Sequence, residues 1–161
     1  FEREHSKISE PLAQFLGAYT ASEDNNNPLG QREDGEGYAK AIEGTLLVAK
    51  TPKNIVNLVK THGTGTPVNN VAEKSALQRT LGEFIATSYK QRIGHTMGAS
   101  GLLETGILLK DIAAGSIPAI PNRTEEDSMF LSSPATPPKG PFLSLAAGMG
   151  NVYSAALFAR V

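Results

Sequence analysis

The chain has 161 residues, which is enough for one domain with a substantial hydrophobic core. Its net charge of −1, without any run of Lys and Arg, excludes an electrostatic surface for nucleic acid or for an anionic membrane. Since it contains no cysteine, disulfides, thiolate metal sites and a cysteine nucleophile supplied by these residues are excluded as well.

The N-terminus carries no recognisable targeting signal. No signal-peptide pattern opens the chain and no apolar stretch approaches the roughly 20 residues needed to span a bilayer, so we expect a cytoplasmic protein. The first residue is Phe1 rather than Met, which suggests a piece of a longer protein. Residues 1–11 are polar and charged and predict an exposed lead-in, with His5 as a solvated surface histidine, to a single domain over residues 12–161.

A strand, a loop and a helix are predicted next. Residues 12–20 are apolar and aromatic enough for a first strand, and residues 22–37, rich in Asn, Pro and Gly, form a turn-rich loop. From residue 38 to residue 49 the apolar positions recur at helical spacing. A helix of that length would cross back over a sheet.

The first of two histidine loops follows a predicted buried strand at residues 55–59. The loop, residues 60–67, holds His62 among glycines and threonines, and a helix follows from Val68 with Asn69 or Asn70 as its cap. On these residues alone, a binding loop and a plain glycine turn with a hydrogen-bonded core histidine are equally good interpretations.

The second histidine loop repeats the same pattern and favours the binding interpretation. Residues 84–89 predict a buried strand, the loop at residues 90–101 holds His95, and an apolar helix follows. Strand-to-helix corners are where α/β folds place their sites. We therefore interpret His62 and His95 as members of one shared site.

The remaining elements complete an α/β layer. The helix at residues 102–112 is strongly apolar and is expected to be central and buried, and Gly115 ends it. A proline-rich surface connection over residues 122–141 leads to two strands, residues 142–147 and 153–161, around a Gly-Met-Gly-Asn corner. The order strand, helix, strand, helix, strand, helix, strand, strand predicts a mixed five-stranded sheet with helices packed on it.

Three motifs resemble those of the β-ketoacyl synthases, the condensing enzymes of fatty-acid and polyketide synthesis. Residues 62–67, His-Gly-Thr-Gly-Thr-Pro, resemble the family's HGTxTP loop, and Lys90 with Gly94 and His95 resembles its KxxxGH loop. Residues 148–150, Gly-Met-Gly, resemble its GFG corner. The resemblance covers nearly the whole chain from Leu12, and the paired histidine motifs stand in the family's order.

The resemblance implies a thiolase-like fold in which two similar βαβαβαββ halves pack face to face. This chain is similar to the C-terminal half, whereas the family's nucleophilic cysteine lies in the N-terminal half, in agreement with the absence of Cys here. The implied partners are the protein's own N-terminal half, an acyl carrier protein, and a second subunit in a homodimer or heterodimer. No covalently bound cofactor and no metal are expected, since the substrate arrives on the phosphopantetheine of the carrier protein.

The family's mechanism assigns roles to four residues. An acyl chain is transferred to the cysteine, a malonyl thioester loses carbon dioxide, and its carbanion attacks the acyl-enzyme. His62 and His95 would donate hydrogen bonds to the thioester oxygen and so stabilise the enolate. Lys90 would hold a carboxylate, with Glu73 as the matching acid, and this pair would orient the histidines; the plain alternative is that both are solvated surface charges.

Four further positions match or depart from the family's pattern. Thr64 and Thr66 match threonines that hydrogen-bond the pantetheine arm. Met149 takes the place of a gating phenylalanine and is flexible enough to serve. Asn70 stands where many members have Asp, which weakens any ion-binding or charge-network role there.

Two other interpretations remain. A non-catalytic, chain-length-factor-like partner subunit of a condensing enzyme would lack the nucleophile, but it would have less need of His62, Lys90 and His95. A plain thiolase or a chalcone-type synthase fits less well, because those relatives keep only one of the paired histidines in this form. As a free chain, this half is expected to have no turnover, to expose the face that its partner half covers, and to self-associate or be poorly stable.

Overall fold

The computed structural model describes residues 11–27, 30–121 and 129–161, which fold around one five-stranded sheet. The strands are β1 (Ala13–Ser22), β2 (Leu58–Lys60), β3 (Ile85–Thr87), β4 (Phe142–Gly148) and β5 (Val152–Arg160). Their order across the sheet is β1-β5-β4-β2-β3. Strand β2 runs parallel to β3 and β4, whereas β5 is antiparallel to β4 and β1. The predicted mixed five-stranded sheet is confirmed.

Helices cover both faces of this sheet. They are α1 (Glu36–Val48), α2 (Pro67–Thr80), α3 (Lys90–Ile93) and α4 (Ser100–Ala113), with 3₁₀ turns at Lys53–Ile55 and Met97–Ala99. Neighbouring residues of a strand point to opposite faces. Val59 accordingly packs in the core under α1 and α2, while Leu58 packs with Leu108 and Ile112 of α4.

The predicted order of elements is observed, but two strands are shorter than predicted. The strand expected at residues 55–59 begins only at Leu58, because the chain after Pro52 first makes a 3₁₀ turn in which the Ile55 N–H donates to the Pro52 carbonyl. The strand expected at residues 84–89 is confined to Ile85–Thr87, where it pairs with β2.

The predicted asparagine cap of α2 is wrong. The helix begins at Pro67 after Thr66, and Asn69 and Asn70 are buried inside its first turn. Proline suits the first helical position because its ring fixes φ and its missing N–H would have had no partner inside the helix. Asn69 is thereby free to bind other side chains of the core.

Helix α4 is central to its face but is not buried all round. Ser100, Glu104 and Leu108 are buried, whereas Leu102 is 81% exposed and Leu103 is also exposed. The expected burial therefore holds for one side of the helix and not for the side that carries Leu102 and Leu103. Gly115 follows the end of the helix in the left-handed region, with φ of 78°, as its predicted terminating role requires.

Some predictions fall outside the described residues. The lead-in lies there except for its last residue, and so does His5. Of the predicted surface connection, residues 122–128 lie outside, while the described part includes the buried Phe130 and an antiparallel bridge between Ala135 and Ile117. In the described parts of the chain, no helix combines the length and apolarity that crossing a membrane requires.

Candidate active site

Three loops meet where β2, β3 and β4 end. Because these strands run parallel, their carboxyl ends share one edge of the sheet, which is where open α/β sheets bind ligands. The loop after β2 holds His62, and the segment after β3 holds His95. The two rings meet edge to face, with centroids 5.7 Å apart. The structure thus brings together the two histidines that were assigned to one site.

Both imidazoles are held in the same tautomer by backbone amides. The N–H of Ala147 donates to Nδ1 of His62 at 3.2 Å, and the N–H of Met97 donates to Nδ1 of His95 at 3.1 Å. A backbone amide can only donate, so each Nδ1 carries the lone pair and each neutral ring carries its proton on Nε2. Each ring therefore has an Nε2–H donor to offer a ligand.

His62 is kept neutral by its surroundings. His62 is only 6% exposed. Burial is the main reason that its pKa falls from 6.5 to about 3. The positive charges of Lys90 and Lys60 lower it further. At neutral pH this imidazole is an uncharged hydrogen-bond donor.

The backbone of the first histidine loop is held by Glu73. Its carboxylate accepts the N–H groups of His62 at 2.6 Å and Gly63 at 2.8 Å, and the side-chain amide of Asn69 at 2.7 Å. Burial raises the pKa of Glu73, and these three hydrogen bonds oppose that rise. Gly63 is required here, because its φ is 56° and an added Cβ would lie 2.3 Å from the hydroxyl oxygen of Ser88.

Lys90 does contact a carboxylate, but it is that of Glu104. The Nζ of Lys90 lies 2.8 Å from Oε1 of Glu104 and also donates to the carbonyl of His62. The predicted pairing of Lys90 with Glu73 is therefore wrong. Both carboxylate oxygens of Glu73 instead accept hydrogen bonds from the first histidine loop and from Asn69 on α2. The two residues nevertheless hold the same loop: Glu73 holds its N–H groups and Lys90 holds the carbonyl of His62.

Two charged residues of the site were missed by the sequence analysis. Glu104 on α4 is wholly buried. Its carboxylate accepts hydrogen bonds from Nζ of Lys90, from the hydroxyl of Ser100 and, at 3.4 Å, from Nζ of Lys60. Lys60 is also wholly buried, and its Nζ donates to the carbonyl of Leu145 at 2.8 Å. Burial lowers the pKa of Lys60. The available signal was a charged residue inside an otherwise apolar strand or helix.

A pocket of about 170 Å³ opens beside the histidines. Its lining comprises Gly30, Gln31, His62, His95, Ala147, Gly148, Met149, Asn151 and Tyr153. Met149, at the edge of this pocket, is 76% exposed. Thr64 and Thr66 are not among these lining residues, and their hydroxyls lie 3.3 Å from each other. Among the described residues, no three His, Asp or Glu side chains gather as metal ligands.

The strand order, together with two histidines at the carboxyl edge of the parallel strands, is that of one half of a thiolase-like fold. A β-ketoacyl synthase from Burkholderia phymatum has this fold, with a TM-score of 0.83 and 27% identity over 92% of this chain and 38% of the other. A type II polyketide ketosynthase solved with its acyl-carrier protein superposes with a TM-score of 0.84 at 23% identity, over the same shares of the two chains. The predicted fold class is confirmed.

The family follows from the sequence comparisons. The family model described as "Beta-ketoacyl synthase, C-terminal domain" matches residues 12–124, and the chain belongs to this family. It is 32% identical to 3-oxoacyl-[acyl-carrier-protein] synthase 2 of Vibrio cholerae over 73% of this chain and 30% of the relative. It is also 32% identical to the tetracenomycin polyketide synthase ketoacyl synthase alpha subunit of Streptomyces glaucescens, over 81% of this chain and 33% of the relative. The chain thus spans about a third of the length of these curated relatives.

Proposed function

We propose that the chain is the C-terminal half of a β-ketoacyl-[acyl carrier protein] synthase that catalyses decarboxylative Claisen condensation of a malonyl thioester with an acyl thioester. The observation that carries the proposal is the pair of neutral imidazoles, each fixed with its proton on Nε2, beside one pocket. Two such donors suit an oxygen that gains negative charge during a reaction.

The chemistry assigned to the pair is stabilisation of an enolate. When the bond from the malonyl C2 to its carboxylate breaks, carbon dioxide leaves and the electron pair enters the enolate, whose oxygen becomes negative. The Nε2–H groups of His62 and His95 hydrogen-bond that oxygen. C2 then attacks the acyl thioester on a cysteine outside this chain, and the cysteine leaves as thiolate. Removing one donor of this kind costs about 100-fold to 1,000-fold in rate.

The surrounding residues position the pair and the substrate. Glu73 and Lys90 hold the backbone of His62 from its N–H and carbonyl sides, and Glu104 holds Lys90. Thr64 and Thr66, on the same loop, bind the pantetheine arm that delivers the thioester. Met149, exposed beside the pocket, gates the entry of the acyl chain.

The proposed partners are an acyl carrier protein, the protein's own N-terminal half and a second subunit in a homodimer or heterodimer, within the cytoplasm. The N-terminal half packs on the α4 face of the sheet. An apolar pocket of about 200 Å³ on this face is lined by residues of α4, β1, β4 and β5, and Leu102 and Phe15 are exposed. Apolar surface of this kind favours contact with another protein layer.

The test is decarboxylation of malonyl thioester on its carrier protein by the full-length protein that contains this chain. His62→Ala and His95→Ala should each lower the rate about 100-fold or more. His→Gln places an amide N–H near the position of Nε2 and should retain more activity than His→Asn, whose shorter amide lies near Nδ1. A folded alanine variant with full decarboxylation would refute the proposed role.

The decarboxylation assay and a second measurement together test the chain-length-factor-like alternative. A non-catalytic partner subunit would form no acyl-enzyme and would show no histidine-dependent decarboxylation of its own. A synthase is expected to bind the acyl group covalently at a cysteine in the N-terminal half. Mass spectrometry of the intact protein after incubation with an acyl thioester distinguishes the two.

A further inference from the structure

The hydrogen-bond ladder between β2 and β4 is continued past the end of β2 by two side chains. Its last pair joins Lys60 to Ser144, after which β4 runs on alone on this side. The carbonyl of Leu145 then accepts from Nζ of Lys60 at 2.8 Å. The N–H of Ala147 donates to Nδ1 of His62 at 3.2 Å. Leu145 and Ala147 are two residues apart, the spacing at which a strand repeats its orientation, so both groups point toward the end of β2.

Lys60 supplies the donor that the carbonyl of Leu145 would otherwise lack. In a longer parallel ladder this carbonyl would accept the backbone N–H of His62. That N–H instead donates to Glu73 at 2.6 Å. Leu145 is wholly buried, and a buried carbonyl without a donor is costly. The ammonium of Lys60 therefore fixes β4 two residues before the amide that orients His62.

The ammonium of Lys60 is not needed to neutralise Glu104. Nζ of Lys90 lies 2.8 Å from this carboxylate, closer than Nζ of Lys60 at 3.4 Å. Lys60 is wholly buried, and burial lowers its pKa. Burying an ammonium costs free energy that an ion pair offsets only in part. Stability alone is thus a poor reason for a second lysine on one carboxylate, and the contact of Lys60 with β4 beside His62 indicates a role in the site.

We propose that Lys60 is a positioning residue of the active site: it fixes the end of β4, and with it the Ala147 N–H that holds His62 with its proton on Nε2. An imidazole that loses such a contact divides between its two neutral tautomers. The ring of His95 depends on Met97 in the other loop and not on β4. The inference concerns the ring of His62; its effect on rate rests on the proposed function, in which that ring binds the enolate oxygen.

The test uses the full-length protein that contains this chain, labelled with ¹³C at its histidines. The Cδ2 chemical shift of a neutral ring differs between the two tautomers, and the His62 signal is the one absent from His62→Gln. Lys60→Met keeps the apolar stem, removes the ammonium and leaves Lys90 paired with Glu104. In this variant the His62 signal should move from the Nε2–H position toward the average of the two tautomers, while the His95 signal stays.

The kinetic readout is decarboxylation of the malonyl thioester on its carrier protein. In Lys60→Met, kcat should fall about tenfold with little change in KM, the usual effect of one hydrogen bond. Lys60→Arg keeps the charge and the donors and should restore the His62 signal and most of the rate. If Lys60→Met does not fold, Lys60→Gln takes its place, because its amide nitrogen is uncharged and lies one bond short of Nζ.

Thr45→Val is the matched control for a general loss of stability. The buried hydroxyl of Thr45 donates to the carbonyl of Ala155 at 2.9 Å, and Ala155 is the residue opposite Leu145 on β5. The variant removes a comparable hydrogen bond from the sheet but none beside His62. The His62 signal and kcat should therefore stay as they are in the wild type.

Two results would overturn the inference. The first is a folded Lys60→Met whose His62 signal stays at the Nε2–H position, since any fall in rate would then come from the lost charge alone. The second is a shift that the His95 signal shares, or that Thr45→Val reproduces, which would reduce Lys60 to general support of the fold. The proposed function fails separately, when His62→Ala retains malonyl decarboxylation. A shifted His62 tautomer with an unchanged rate would support the positioning of the ring and count against its role in the reaction.

Discussion

The neutral state of His62 can be tested by lowering the pH. With a pKa of about 3, this imidazole is about 0.3% protonated at pH 5.5, whereas a histidine at its ordinary 6.5 would be about 90% protonated. A protonated ring could no longer accept the N–H of Ala147, and the hydrogen bond that orients it would be lost. We therefore expect the His62 contribution to decarboxylation to persist at pH 5.5.

The measurement combines NMR with kinetics on the full-length protein. With ¹³C-labelled histidines, the His62 signal is the one that disappears in His62→Gln, and it should keep the chemical shift of a neutral ring from pH 8 to pH 5. The rate ratio of wild type to His62→Gln should stay constant from pH 8 to pH 5.5, because glutamine does not titrate. A titration midpoint near 6.5 in either experiment would show that the charge environment derived for His62 is wrong.

The same depressed pKa affects stability. The unfolded chain binds a proton at His62 as the pH falls through 6.5, while the folded chain does not until about pH 3, so stability is lost over that window. The loss between pH 7.5 and pH 5 is of the order of 2 kcal/mol. It should be absent from His62→Gln, which serves as the comparison. Equal pH dependence of unfolding in the two proteins would contradict the linkage.

Three further predictions follow from the geometry. Glu104→Gln leaves two buried lysines without their shared carboxylate and should destabilise the protein by about 3–5 kcal/mol in denaturant unfolding; the exposed Glu43→Gln is the control, and equal midpoints would argue against a buried charge cluster. Thr64→Val and Thr66→Val should raise KM for carrier-bound substrate with little change in kcat, and a selective fall in kcat would instead assign these hydroxyls to the chemical step. The described chain, expressed alone, should self-associate and bind a hydrophobic dye through the face around Leu102, so a monodisperse monomer in sedimentation that binds no dye would count against a missing partner layer.

The order of elements and the two histidines could be predicted because their signals are local. Each histidine stands in a glycine-containing loop between an apolar run and a helix, and parallel strands bring such loops to one edge. The start of β2 could not be predicted in the same way. The apolar Ile55 suits a strand, but a 3₁₀ turn begins after Pro52 and leaves Ile55 exposed.

The charge network of the site could not be read from the sequence, because its partners are far apart along the chain. Lys60 and Lys90 both contact Glu104, although they lie 44 and 14 residues from it along the sequence. No local pattern indicates which carboxylate pairs with which lysine. The motif order made Glu73 the obvious partner of Lys90. In the fold, however, Glu73 is used by backbone amides, which are invisible in a sequence.

The buried lysines explain why a neutral histidine suits the proposed reaction. Charged groups in a protein interior contribute weakly to stability, since desolvation offsets much of their attraction. Near His62, however, the charges of Lys60 and Lys90 disfavour the imidazolium and at the same time favour an anionic intermediate in the adjoining pocket. An imidazolium would readily transfer its proton to the enolate and quench the carbanion before it attacked. In the proposed reaction, a neutral Nε2–H would hydrogen-bond the enolate oxygen without protonating it, and the lysine charges that keep His62 neutral would also favour the enolate.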